Sequence, residues 1–190
     1  MIPAAITAAD ACRTSSGIRL IRIVVIDPGM RGAVAVLLIE VGPGQARIVG
    51  VEELFDMPLR EDGEGVFHVD FRGLVARLEP YGAEFGIIEL QHSMRKQSAT
   101  GAWKQCEAYR DAYCALLASV PSVIGEHGRI WKPSMGLTAV KQLSLDAARR
   151  LFPAMRHLLT RQKDDGRAEA LLLGEYACRH ILNQEIVATV

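Results

Sequence analysis

Four acidic residues stand where a carboxylate is costly to place. Asp27 ends the apolar run Ile23-Val24-Val25-Ile26, and Glu89 follows Gly86-Ile87-Ile88. Asp165 and Glu169 are four residues apart, at the head of a stretch that continues Ala170-Leu171-Leu172-Leu173, so in a helix they share one face. A charge set among apolar groups needs a partner or a metal. Converging carboxylates repel one another, and a divalent cation relieves the repulsion. Mg²⁺ prefers hard oxygen ligands, and two such ions about 3.5–4 Å apart form a clamp for phosphodiester cleavage. Each acid also has a plainer reading. Asp27 before Pro28-Gly29 suits a turn, Glu89 can be a structural strand-end acid, and Asp165 with Glu169 suits a helix start, where the dipole favours acids. Asp164 competes with Asp165 for the same role, although in a helix it points roughly 100° away. The set favours chemistry, because two strand ends and one helix start can meet at one edge of a sheet.

The elements that must position these acids follow from periodicity. Leu20–Asp27 is β-branched and apolar, a buried strand. Ala33–Val41 is a second strand, closed by the turn Gly42-Pro43-Gly44, and Ala46–Leu54 a third. Short connections make these three an antiparallel meander. Residues 60–68 read as a loop. Asp70 caps a helix over Phe71–Tyr81, and Phe85–Leu90 is a short buried strand. Ser98–Ala118 is a long helix with Trp103, Cys106, Tyr109, Ala112, Tyr113 and Leu116 at helical spacing. Ser122–Gly125 is a fifth strand and Trp131–Leu137 a loop. Helices then run over Thr138–Phe152, stopped by Pro153, and over Asp164–Asn183. The order β-β-β-α-β-α-β-α-α predicts an α/β fold, with a five-stranded mixed sheet (three antiparallel strands, then two parallel) and helices on both faces. Residues 1–19 read as a flexible N-terminal arm and 20–185 as a single domain.

With 190 residues, about half of them hydrophobic, the chain can bury a real core, which excludes global disorder. Its 22 basic and 22 acidic residues cancel, but unevenly. Residues 40–89 hold eleven acidic against four basic side chains, whereas residues 91–163 hold twelve basic against four acidic. A local basic field can bind polyanions despite a neutral total. Cys12, Cys106, Cys114 and Cys178 include no C-x-x-C pair. Burial as small hydrophobes is expected for Cys106 and Cys114, and a reducing cytoplasm fits. No apolar run reaches the ~18–20 residues of a membrane span, and residues 1–17 lack the basic start and apolar centre of a secretory signal.

The stretches IDPGMRGAVAVL (26–37), IIEL (87–90), WKPSMGLTAVKQLSLDAARRLFP (131–153) and KDDGRAEALLLGEYA (163–177), in that order, resemble the RuvC-like Holliday junction resolvases, especially their phage-type relatives. These belong to the RNase H-like superfamily. The likeness covers about residues 20–180. It implies the cytoplasm of a bacterial or phage-infected cell. It also implies a homodimer acting in DNA recombination and repair, which binds four-way junctions and nicks two strands symmetrically to leave 5′-phosphate ends. Four carboxylates would hold Mg²⁺ or Mn²⁺, two ions per site. Asp27 matches the first-strand Asp, Glu89 the fourth-strand Glu, and Glu169 the last acid. Position 166, where bacterial RuvC carries its third acid, is Gly here, and Asp165 takes that role by the four-residue spacing of some relatives. Lys141 matches a basic residue near the scissile phosphate, and Lys132 a phage-type position in Trp-Lys-Pro. The bacterial aromatic after the catalytic Glu is missing. His92 stands in its stretch and, with Arg95, Lys96, Lys132 and Lys141, is a DNA-binding candidate, against a plain reading of solvated surface charge. Trp103 and Trp131 read as packing residues. Competing readings are another RNase H-like flap or branched-DNA endonuclease with the same acids, and a non-catalytic DNA-binding module of the same fold. An actin-like ATPase needs two such domains and is excluded by length.

Overall fold

A computed structural model describes residues 17–91 and 98–183. Three strands open the chain: β1 (Arg19–Asp27), β2 (Ala33–Gly42) and β3 (Gln45–Asp56). A small hairpin follows, β4 (Leu59–Glu61) with β5 (Phe67–Val69), and then α1 (Phe71–Leu78). The chain continues through β6 (Phe85–Leu90), α2 (Ala99–Ser119), β7 (Val123–His127), α3 (Gly128–Ser134), α4 (Lys141–Leu151) and α5 (Asp165–Tyr176). The main sheet has the order β3-β2-β1-β6-β7. β1, β2 and β3 pair antiparallel, while β6 joins β1 and β7 joins β6 in parallel. This is the predicted mixed sheet.

Two hydrophobic clusters lie on opposite faces, and the two-residue period of the strands divides side chains between them. Ile21, Ile23 and Val25 of β1, Ala35, Leu37 and Ile39 of β2, and Phe85 and Ile87 of β6 pack against α3, α4 and α5. Val24, Ile26, Val34, Val36 and Ile88 pack against α1 and α2. The same alternation carries Asp27 and Glu89 onto the α5 face, since each is two residues beyond a side chain buried there (Val25 and Ile87). Helix α5 is apolar almost all round, with Ala168, Ala170, Leu171, Leu172 and Leu173 buried, as befits a helix packed across β1, β2 and β3.

Several elements differ from the sequence expectation. The stretch read as loop 60–68 contains most of the β4–β5 hairpin, whose three-residue strands are too short to show alternation. The stretch read as loop 131–137 contains the end of α3, a helix that tolerates Pro133 near its end. Helix α4 starts at Lys141 rather than Thr138, because the Thr138 hydroxyl accepts from the Val140 amide at 3.2 Å in a local turn. In α2 the inward face is Ala108, Ala112, Ala115 and Leu116. Cys106 and Cys114, expected to be buried, are exposed, and Trp103, expected to pack, is 68% exposed. Of the stripe read from the sequence, Ala112 and Leu116 are buried and Tyr109 and Tyr113 pack against the same cluster, so only Trp103 and Cys106 of it face outward. Trp131, by contrast, is fully buried, as a packing residue should be. Among the described residues no helix is long and apolar enough to cross a membrane.

Candidate functional site

Asp27 closes β1 and Glu89 lies near the end of β6, and the parallel register Ile26↔Ile88 sets the two acids side by side. The first turns of α5 pass over that edge and bring in Glu169. Carboxylate oxygens of Asp27, Glu89 and Glu169 lie within 4.8 Å of one another. Position 166 must be glycine for this approach. A Cβ there would stand 2.8 Å from the Arg31 carbonyl oxygen and 3.1 Å from Asp27 Oδ2. An acid at 166 would therefore collide with the very group it should join.

The three acids are held by polar neighbours. The Trp131 indole N–H donates to Glu89 Oε2 at 2.9 Å. The Lys132 ammonium lies 2.9 Å from Glu169 Oε2 and 3.4 Å from Glu89 Oε2. The fully buried Ser144 hydroxyl, on α4, is 3.4 Å from Glu169 Oε1. Burial pushes the Asp27 carboxyl well above the usual carboxylate range, with repulsion from Glu169 and Glu89 adding to it. Burial also raises Glu89, helped by Glu169 and opposed by Lys132 and the Trp131 hydrogen bond. For Lys132, burial works against the charged form, but Glu169 and Glu89 outweigh it and hold the ammonium above its ordinary value.

Asp165 is not among the three gathered acids: its carboxylate is engaged by the Lys141 ammonium. Asp164 is buried in a different role. Its oxygens accept from the Arg161 amide at 2.7 Å and the Arg161 guanidinium at 2.6 and 2.9 Å, forming a capping box ahead of α5. Burial alone would raise the Asp164 carboxyl, yet these Arg161 contacts hold it below its usual value. Asp164 therefore serves the helix start, and Asp165 is the acid that faces the cleft. Lys141 occupies the first turn of α4, where the helix dipole disfavours a cation by ~0.3–1 kcal/mol. Its pairing with Asp165 offsets that.

A cleft of about 790 Å³ opens at Asp165 and Lys141, lined also by Met30, Arg31, Asp56 and Lys163, among others; Asp27, Glu89 and Glu169 are not part of its lining. Arg161 lines it too, but is spent on Asp164. Arg31 and Lys163 are exposed and form no ion pair among the described residues. Sequence reasoning passed over Arg31, Lys163 and Ser144. Arg31, four residues after Asp27 in the strand-end turn, had the clearest signal. His92, Arg95 and Lys96 lie outside the described residues.

The donor set suits a hard divalent cation. It offers carboxylate oxygens and no thiol or imidazole, which fits Mg²⁺ or Mn²⁺ rather than a soft metal. Glycine at 128 leaves the Glu89 carboxylate its place, since a Cβ there would stand 2.8 Å from Glu89 Oε1.

Neither a protein-family model nor a curated protein sequence matches the chain. Solved structures do. T. thermophilus RuvC in complex with a Holliday junction substrate superposes with a TM-score of 0.50 at 18% identity, over 89% of this chain and 95% of that one. The Thermus thermophilus RuvC structure matches with 0.50 at 20% identity, over 83% and 95%. The yeast mitochondrial Holliday junction resolvase Ydc2 matches with 0.53 at 11% identity, over 88% and 80%. The chain has the RuvC-type, RNase H-like fold. Within it, the three gathered acids fall on the strands and helix that the sequence resemblance had assigned to them.

Proposed function

We propose that this protein is a structure-specific endodeoxyribonuclease that resolves four-way DNA junctions. It would act as a homodimer, hydrolysing two phosphodiesters with divalent metal and leaving 5′-phosphate ends. The observation that carries the reading is the meeting of Asp27, Glu89 and Glu169 at one sheet edge, within 4.8 Å of each other, in a chain with the fold of RuvC and Ydc2. Residues far apart in sequence have no structural need to bring three acids together there.

Asp27, Glu89 and Glu169 would hold Mg²⁺ or Mn²⁺, with Asp165 available to a second ion once Lys141 turns to substrate. Metal bound there supplies Lewis acidity toward phosphate oxygens. Trp131 and Ser144 orient Glu89 and Glu169 by hydrogen bonding. Lys141 faces the cleft and would offset charge on the phosphate, while Arg31 and Lys163 would hold neighbouring phosphates of the same strand. Lys132 pairs with two of the three acids, and His92, Arg95 and Lys96 would be further DNA contacts. Two active sites must face two phosphates across a symmetric junction, and an isologous dimer supplies that symmetry. The outward face of α2 supports such a pairing, because Trp103 and Leu117 are exposed four turns apart on one side, with Cys106 and Cys114 between them.

The test is a panel of end-labelled DNAs (mobile four-way junction, fork, 5′ flap, linear duplex) incubated with protein in Mg²⁺ and in EDTA. Paired, ligatable nicks at symmetric positions of the junction, in Mg²⁺ alone, are expected. Preferential cutting of the flap would move the assignment to a flap endonuclease, and no metal-dependent cutting of any substrate would overturn it.

A further inference from the structure

We propose that the Lys132 ammonium is the resident cation of the carboxylate centre, held where a divalent ion binds and withdrawn when that ion enters. The inference rests on the metal-site reading above and adds a competitor to it. Lys132 Nζ lies within 2.9 Å and 3.4 Å of oxygens on two of the three gathered acids. A divalent ion bonded to those acids at ~2.0–2.1 Å would claim the same oxygens and repel the ammonium. Both cations cannot keep their places.

The surrounding structure lets the side chain move without the backbone. Lys132 sits on α3 beside Trp131, whose buried indole is anchored by its hydrogen bond to Glu89 and whose carbonyl accepts from the Ser134 hydroxyl at 2.8 Å. The helix is thus fixed, while the lysine's flexible four-carbon stem is free to turn. Its side chain is 19% exposed, so a route to solvent is open. Its ion-pair partners among the described residues are Glu89 and Glu169, and it has no counter-ion outside the centre to hold it there or draw it away. In the metal-free protein the ammonium partly neutralises three acids that otherwise repel, which keeps the centre assembled. Metal entry then frees a cation at the lip of the site that binds phosphate.

The prediction is read from metal binding without DNA. Calorimetric titration of the full chain with Mn²⁺ should give a Kd at least tenfold tighter for Lys132→Met or Lys132→Gln than for wild type. Lys163→Met, which removes an equal charge from the cleft but not from the acids, should change Kd less than twofold. An independent readout uses wild type alone. The paired ammonium should give a slowly exchanging side-chain NMR signal that is lost as Mg²⁺ fills the site. Equal or weaker Mn²⁺ binding by the Lys132 variants, an equal tightening by Lys163→Met, or an ammonium signal that survives saturation would overturn the proposal. Absence of saturable binding in wild type and variants alike would overturn it together with the metal centre. A negative junction assay with the tightening intact would overturn the substrate reading alone.

Discussion

Replacing Asp27 with Asn should make the metal-free protein more stable while ending its chemistry. Burial and the charges of Glu169 and Glu89 raise the Asp27 carboxyl, so its ionised form is disfavoured in the fold. A raised acid contributes stability only while protonated. The contribution is complete below the unfolded value near 3.9 and is lost as pH rises through the folded value. At a separation of 4.8 Å and an effective dielectric constant of about 20, two carboxylates repel by ~3.5 kcal/mol. Asp27 faces two such partners, and Lys132 cancels part of the sum. The loss at pH 7 has a ceiling of ~4 kcal/mol, since beyond that the group would simply stay protonated. A gain of ~1–4 kcal/mol is therefore expected for the amide, and at ~2–4 °C per kcal/mol this raises Tm by roughly 2–16 °C. Thermal melts in EDTA should show the gain at pH 7 and none near pH 4, and saturating Mg²⁺ should raise the Tm of wild type more than that of Asp27→Asn. A variant that melts at or below wild type at pH 7 would refute the reasoning, because Asp27 would then be a structural acid.

Four other outcomes follow from the same geometry. Glu89→Gln should lower junction cleavage by at least ~100-fold, the scale of lost transition-state stabilisation, while gel-shift affinity for the junction in Ca²⁺ stays within a few-fold. Lys163→Ala, if that side chain holds a phosphate, should weaken junction binding for every DNA sequence and reduce the slope of log K against log salt by about 1. Gly166→Ala should cost ~1–3 kcal/mol in urea melts, because its methyl meets the Arg31 carbonyl and Asp27; a neutral outcome would show that α5 can lift off the sheet edge. If the protein pairs through the outward face of α2, Trp103→Ala combined with Leu117→Glu should shift it from dimer to monomer in analytical ultracentrifugation and leave the far-ultraviolet circular dichroism unchanged; a wild type that sediments as a monomer would contradict the pairing.

How much was legible in the sequence depended on whether one strong local signal decided each feature. β1, β2 and β6 are strongly apolar runs, so their existence was plain, as were the exceptional acids at the ends of β1 and β6, and the parallel and antiparallel pairings followed from connection lengths. The hairpin of β4 and β5 was hidden because three-residue strands carry no readable period. Helix α3 was hidden by Pro133, a residue that argues against a helix except near its ends. The face of α2 was read in part: Ala112, Leu116 and the two tyrosines pack inward as expected, while Ala108 and Ala115, weak in any hydrophobic pattern, complete that face and Trp103 and the two cysteines lie outside it. Of the site, Asp27, Glu89 and Glu169 each had a plain structural reading alone; only the three taken together, with the family resemblance, pointed to one shared place, and the fold brings their oxygens within 4.8 Å of one another. The division of labour between Asp164 and Asp165 was not decidable from spacing alone. It turned on Arg161, three residues upstream, which binds Asp164 and so leaves Asp165 to Lys141. Ser144 was unreadable because a serine inside an amphipathic helix looks the same whether it faces solvent or a carboxylate.

The central claim is that acids remote in sequence form one cation site. Crystals of the protein soaked in Mn²⁺ and measured at the manganese edge test it most directly. An anomalous peak should lie among Asp27, Glu89 and Glu169. The claim is contradicted if no peak arises there at millimolar Mn²⁺, or if manganese binds only elsewhere.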